Sequence, residues 1–196
     1  MPGRTAEVER KTKETKIKIS IDLDGTGESQ ISTGIGFLDH MLDAVARHGL
    51  FDLNIEARGD LEVDPHHTVE DIGILLGKAI DKALGDKAGL VRYGWAAVPM
   101  DEALVLTAID LSGRGIIAYD VAIEQERVGA METVLFSEFF ESLARNGKMT
   151  LHIRKLAGGD PHHTAEAVFK SFARALEMAT RISDRVKGVP STKGVL

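Results

Sequence analysis

Cysteine is absent from this chain of 196 residues. Disulfide bonds and thiolate chemistry are therefore excluded, and any bound metal must be held by nitrogen and oxygen ligands. The sequence also lacks a run of about 18 apolar residues that could cross a bilayer, and it lacks a charged-then-apolar leader. These absences predict a cytoplasmic protein that has no membrane partner.

Positive charge is in short supply as well. The chain has 24 Lys and Arg against 30 Asp and Glu, which gives a formal net charge of −6. No nucleic acid partner is predicted, because binding to a phosphate backbone requires a broad basic face. A small phosphorylated ligand is still allowed, since two or three well-placed cations can hold it.

Three segments of the first half recur in the same order in the second half. The pairs are ISIDLDGTG (19–27) with TAIDLSGRG (107–115), FLDHMLDAVARHG (37–49) with LFSEFFESLARNG (135–147), and DPHHTVED (64–71) with DPHHTAEA (160–167). Three matches in one order indicate an internal duplication. We predict a first pseudo-repeat at 1–88 and a second at 89–196 with a C-terminal tail, which together form one compact domain.

Each half shows strand and helix patterns in alternation. Ile17, Ile19, Ile21 and Leu23 alternate as in a strand, the apolar stripe within 36–48 predicts a helix, and 51–55 alternates again. In the second half we predict strands at 104–111, 116–123 and 149–153, a helix at 132–146, and a last helix that runs to about residue 185. Several strand links are short enough for hairpins, which favours an α+β fold with helices on one face of a mainly antiparallel sheet.

The repeated phrase Asp-Pro-His-His-Thr-x-Glu carries four of the seven histidines. Asp64 is predicted to cap a helix that starts at Pro65, so that His66 and Glu70 share one face and could hold one ion. His67 lies about 100° around the helix and faces a different direction, where we expect a second ion. The positive end of the helix dipole keeps both rings neutral. The same reasoning applies to His162, His163 and Glu166 after Asp160 and Pro161.

The first helix of each half adds a candidate ligand at equivalent positions, His40 and Glu138. The duplicated pattern therefore predicts two metal-ligand sets: His40, His66, His67, Glu70 and Glu138, His162, His163, Glu166. Mn, Fe, Zn and Co all suit such ligands. A single histidine at a helix start is usually a surface or capping residue, so the metal-site prediction depends on the pattern being present twice. His48 and His152 lack histidine counterparts, and either a substrate contact or a structural role suits them.

These segments resemble the imidazoleglycerol-phosphate dehydratase family. The resemblance covers nearly the whole chain and is carried by RKTKETKIKISIDLDGTG, TGIGFLDHMLD, DPHHTVEDIGILLGKA, DEALVLTAIDLSGRG, TLHIR, DPHHTAEAVFKSFARAL and PSTKGVL. It implies two mainly antiparallel four-stranded sheets with helices packed on them, a ribosomal protein S5 domain 2-like fold. It also implies a homo-oligomer of 24 subunits and two Mn²⁺ per active site, with other divalent ions allowed, bound by residues of more than one subunit.

The family's metal positions match the eight residues of the two sets, but many members have histidine where this chain has Glu138. A carboxylate still binds Mn²⁺, so the position is kept, with the identity of its ion left open. The implied reaction is dehydration of imidazole glycerol phosphate to imidazole acetol phosphate in histidine biosynthesis. Two Mn²⁺ ions on the ring nitrogens would stabilise an imidazolate, which loses hydroxide through a diazafulvene-like intermediate.

The resemblance implies part of the catalytic and substrate-binding residues, and the duplication and helix positions add the others. Glu14 is the first candidate for acid–base catalysis, Glu102 is its internal duplicate beside Asp101, and His48 is a second candidate for proton transfer. Phosphate contacts are predicted from Arg92, Arg114, Ser191, Thr192 and Lys193, with Lys170 as a further cation. The full set of predicted substrate contacts is Glu14, His40, His48, His66, His67, Glu70, Arg92, Arg114, His162, Lys170, Ser191, Thr192 and Lys193.

Two other functions fit part of the pattern. A metal-storage cage would use the histidine and carboxylate ligands but leave the arginines and the Ser-Thr-Lys tail idle. A two-metal hydrolase would activate water and release phosphate from the substrate, which a dehydratase does not do.

Overall fold

In a computed structural model, which describes residues 3–194 and 196, the first half forms a four-stranded sheet. Its strands are β1 (Thr5–Lys11), β2 (Thr15–Asp22), β3 (Ser29–Ser32) and β4 (Asp52–Gly59), in the order β1-β2-β4-β3. The first two pairings are antiparallel, and β3 joins β4 in parallel. Ile17, Ile19 and Ile21 are buried on one face of β2, as their alternation predicted.

A second sheet has the same strand order as the first. It contains β5 (Tyr93–Met100), β6 (Ala103–Asp110), β7 (Ile116–Asp120) and β10 (Thr150–Ala157), ordered β5-β6-β10-β7, with β7 again parallel to its neighbour. A short ribbon of β8 (Arg127–Val128) and β9 (Met131–Glu132) precedes the third helix. The α+β class with two mainly antiparallel four-stranded sheets is thus confirmed.

Four helices lie between the inner faces of the two sheets. They are α1 (Gly36–Gly49), α2 (His66–Leu84), α3 (Val134–Asn146) and α4 (Pro161–Thr180). α2 packs on β1 and β2, α4 packs on β5 and β6, and the helices pair as α1 with α4 and α2 with α3. Phe139, Phe140, Phe169 and Phe172 are fully buried at the centre, with Phe140 and Phe169 ring centroids 4.9 Å apart.

Two glycines let α2 and α3 approach closely. A Cβ on Gly73 would lie 2.6 Å from the Phe139 carbonyl oxygen, and one on Gly77 would lie 2.5 Å from that of Leu143. The backbones of the two helices are therefore in direct contact. The helices run parallel, and these contacts determine which residues of α2 lie beside which residues of α3.

The last helix is shorter than predicted. It ends at Thr180 instead of about residue 185, because Arg181 takes an extended conformation and Ile182 forms a bridge to Leu90. The edge strands β1, β3 and β5 also have no counterpart among the strands predicted from the sequence, although burial alternates along each of them. In the part of the chain that the structure describes, no helix is long and apolar enough to cross a membrane.

Candidate metal and substrate site

The side chains of His40, His162 and Glu166 converge between α1 and α4. One ligand atom from each lies within 4.8 Å of the other two. Glu166 Oε2 is 3.6 Å from His40 Nε2 and 3.3 Å from His162 Nε2. The carboxylate is buried, whereas both rings are about half exposed, so the group opens to solvent on one side. Two imidazole nitrogens and one carboxylate oxygen are a donor set that suits a divalent transition metal.

Local sequence explains why His162 sits at the start of α4. The Asp160 carboxylate accepts hydrogen bonds from the backbone N–H groups of His162 and His163, and Pro161 occupies the first helical position. This is the start predicted for the second phrase. In the first phrase α2 begins one residue later, at His66, although Asp64 still accepts from the His66 N–H at 2.7 Å.

Lys170 fixes the carboxylate of Glu166. Its ammonium lies 2.5 Å from Glu166 Oε1, one turn along α4, and leaves Oε2 to face the histidines. Burial raises the pKa of Glu166, but the hydrogen bond and charge of Lys170 outweigh it, so the pKa falls below its ordinary value. The carboxylate is therefore ionised and ready to bind a cation.

The structure regroups the predicted ligands. His40 belongs to the first half but lies with His162 and Glu166 of the second half, so within one chain it is not grouped with the other predicted ligands of its own half. Its duplicate Glu138 lies on α3, which pairs with α2. The contacts of Gly73 and Gly77 place Glu138 within about one helical turn of Glu70 along the paired axes. His66 and Glu70 are thus at the level of Glu138.

The second histidine of each phrase is held by a carboxylate. His67 Nδ1 lies 3.1 Å from Asp60 Oδ2, and His163 Nδ1 lies 2.8 Å from Glu102 Oε2. The bond to His163 holds the pKa of Glu102 at about 2. The carboxylates raise the pKa of both rings, which opposes the effect expected from the helix dipole. Asp60 had no place in the sequence prediction, because it lies outside both repeated phrases.

Glu14 and Glu102 occupy equivalent turns but have different surroundings. Glu14 lies in the turn between β1 and β2, and its backbone oxygen accepts from the Asp60 N–H. Among the described residues no hydrogen bond or ion pair involves the Glu14 carboxylate. The Glu102 carboxylate is occupied by His163 and by the Asp160 N–H, and the Asp101 carboxylate is 3.8 Å from His163 Nε2.

His48 and His152 lie in different places. His48, two turns beyond His40 on α1, neighbours α4, where Arg174 donates to its carbonyl oxygen. Burial, followed by the positive charge of Lys170, lowers the pKa of His48, so the ring is neutral near pH 7. His152 is exposed in β10, on the outer face of the second sheet.

The predicted phosphate contacts gather in one open pocket. Arg92, Arg114, Ser191, Thr192 and Lys193 line it together with Tyr93 and Ser112. Asp110, which the sequence did not single out, orients Arg92 through two hydrogen bonds of 2.7 and 3.2 Å, and Arg92 also donates to the Pro190 carbonyl. Three cations and several hydroxyls make the pocket suitable for a phosphate.

Within one chain this cation pocket and the histidines lie at opposite ends of α4. The Arg92 N–H donates to the Ala179 carbonyl near the C-terminus of α4, whereas His162 is in its first turn. Seventeen residues of helix separate them by about 26 Å. A single small molecule cannot reach from one to the other in the same chain.

The family model, the similar sequences and the similar structures all indicate the same protein family. Residues 33–176 match the family described as imidazoleglycerol-phosphate dehydratase. The protein of that name from Acetivibrio thermocellus is 58% identical over 193 residues, which cover 98% of this chain and 99% of the relative. The crystal structure of imidazoleglycerol-phosphate dehydratase from Staphylococcus aureus superposes with a TM-score of 0.83 at 40% identity, covering 91% of this chain and 99% of the other. The Pyrococcus furiosus structure gives a TM-score of 0.83 at 41% identity, covering 96% and 100%.

Proposed function

The chain belongs to the imidazoleglycerol-phosphate dehydratase family, and from this premise we propose that it removes water from D-erythro-imidazole glycerol phosphate to give imidazole acetol phosphate in histidine biosynthesis. The observation that carries this proposal is the convergence of His40, His162 and Glu166. The cation pocket adds a place for the phosphate of the substrate.

We propose that divalent cations, with Mn²⁺ as the first choice, bind at the eight predicted ligand positions. Three of these already present their donor atoms to one point, and the donor set suits such an ion. When bound, the cations would act as Lewis acids that stabilise the deprotonated imidazole ring. His40, His162 and Glu166 would form one group, and His66, Glu70 and Glu138 supply the equivalent side chains on α2 and α3.

The chain's own residues must move protons and hold the phosphate. The Glu14 carboxylate, which has no hydrogen-bond partner among the described residues, is the proposed acid–base group. His48 is a neutral imidazole beside Lys170 and can accept a proton at a ring nitrogen. Arg92, Arg114 and Lys193 would bind the phosphate oxygens through charge-assisted hydrogen bonds.

The separation of about 26 Å along α4 supports active sites that are shared between subunits. The cation pocket of one chain would then face the histidines of another. The outer face of the second sheet offers an apolar surface through which subunits could associate. Trp95 on this face is 63% exposed. The strand register places it in one row with Ala108, His152 and Ala118. The outer face of the first sheet carries Lys16, Lys18, Glu56 and Arg58 instead. A homo-oligomer of 24 subunits in the cytoplasm is the proposed state.

Activity and metal dependence can be tested in one assay. The purified protein is stripped with a chelator, reloaded with Mn²⁺ and given imidazole glycerol phosphate, and both the ketone product and free phosphate are measured. We expect ketone without phosphate release, only after reloading. Phosphate release would indicate the hydrolase, and tight Mn²⁺ binding without turnover would indicate the metal-storage cage. Full turnover by the stripped protein would exclude the metal-dependent mechanism.

A further inference from the structure

The rings of His67 and His163 are both held at Nδ1 by a carboxylate. Asp60 places both oxygens near His67 Nδ1, at 3.1 and 3.3 Å, and Glu102 places Oε2 at 2.8 Å from His163 Nδ1. An ionised carboxylate can only accept a hydrogen bond, so Nδ1 carries the hydrogen and, in the neutral ring, Nε2 keeps its lone pair. Nε2 is then the atom available to a cation.

The two carboxylates do not come from equivalent positions. Glu102 lies in the turn between β5 and β6, whose equivalent in the first half is the β1–β2 turn with Glu14. Asp60 follows β4, and the residue that follows the equivalent strand β10 is Gly158. The carboxylate that holds the second histidine therefore comes from a different loop in each half.

Backbone geometry explains why the second half cannot copy Asp60. Gly158 has a φ of +115°, and a Cβ there would lie 2.6 Å from the Ala103 Cα. No aspartate fits at this point, and the neighbouring Glu102 supplies the carboxylate instead. In the first half the Asp60 N–H donates to the Glu14 backbone oxygen, so Asp60 reaches His67 while the Glu14 carboxylate has no hydrogen-bond or ion-pair partner among the described residues.

We propose that Asp60 and Glu102 are positioning residues that fix the tautomer and orientation of His67 and His163, and that the use of Asp60 in the first half releases Glu14 for the substrate. This inference rests on the proposed function, because it takes both histidines as metal ligands. Outer carboxylates that hold a ligand histidine typically contribute about 10–100-fold to metal affinity.

Two measurements on the purified full-length chain test the proposal. The first is Mn²⁺ affinity by calorimetric titration, and the second is the tautomer of each ring in the metal-free protein, from nitrogen-15 NMR. In Asp60→Ala and Glu102→Ala we expect Mn²⁺ to bind about 10–100-fold more weakly. We also expect the affected ring to lose its Nδ1–H preference. Asp60→Asn and Glu102→Gln, which keep an acceptor oxygen, should fall between wild type and alanine, and they carry the test if the alanine variants do not fold.

Controls separate this inference from the proposed function. Glu62→Gln removes an exposed carboxylate from the segment that follows Asp60, and it should keep the wild-type Mn²⁺ affinity and tautomers. If wild type itself binds no Mn²⁺, the proposed function fails. If wild type binds Mn²⁺ and the alanine variants match it in affinity and tautomer, only the positioning role is overturned.

Discussion

His40 Nε2 on α1 lies 3.6 Å from Glu166 Oε2 on α4, although the two residues belong to opposite halves of the duplicated chain. The contact exists because α1 packs against α4, while α2 packs against α3. Each candidate metal group therefore draws one helix from each half.

Replacing Glu166 with Gln should remove one metal group and spare the other. The neutral amide cannot balance a dication beside His40 and His162, so we expect Mn²⁺ affinity at this group to fall by more than the roughly 10–100-fold lost with an outer partner. Calorimetric titration should show about half the tight-binding stoichiometry. Glu141→Gln on α3, where a partly exposed carboxylate pairs with Arg145, is the control and should bind as wild type. An unchanged stoichiometry in the Glu166 variant would contradict the grouping.

Sequence alone could predict what is encoded locally. The helix start at Asp160 and Pro161 follows from capping chemistry, and the strand through Ile17 and Ile19 follows from alternation. The grouping of His40 with Glu166 could not be predicted, because it depends on which helices pack together. Asp60 was missed for a similar reason, since only the end of β4 brings it to His67.

His48 should titrate below its ordinary value in the metal-free protein. Burial and the charge of Lys170 lower its pKa, so the unfolded chain takes up the proton first as the pH falls. The free energy of unfolding should therefore decrease below about pH 6.5, the unperturbed value for histidine. Proton NMR of the ring C–H signals gives the pKa directly. Lys170→Met should raise it, and His48→Gln should remove this part of the pH dependence; a pKa unchanged by Lys170→Met would exclude the charge effect.

Gly77→Ala should destabilise the fold. The added methyl group would meet the Leu143 oxygen at 2.5 Å and the Gly147 nitrogen at 2.7 Å, where backbone cannot give way easily. Overpacking of this kind costs about 1–3 kcal/mol, which corresponds to a melting temperature several degrees lower. Gly36→Ala is the matched control, since its Cβ would meet no atom within 4 Å in the first turn of α1. Calorimetric melting curves compare the two, and equal melting temperatures would show that α2 and α3 are not in tight contact.

Lys193→Ala should weaken substrate binding much more than metal binding. Lys193 lines the cation pocket with Arg92 and Arg114, at the end of α4 remote from the histidines. Lys193 is a better position to test than Arg92, because Arg92 also binds Asp110 and the Pro190 carbonyl, so its loss would disturb the tail.

A charge-assisted hydrogen bond contributes about 1.5–3 kcal/mol, so for Lys193→Ala we expect KM to rise roughly 10–150-fold while Mn²⁺ stoichiometry and affinity stay the same. Added salt should raise the KM of wild type and have less effect on the variant, because one phosphate contact is already lost. Lys187→Ala, an exposed lysine of the same tail outside the pocket, should leave both constants unchanged. A KM unaffected by Lys193→Ala would show that the tail does not touch the substrate, and the phosphate would then have to be held by the two arginines and the hydroxyls alone.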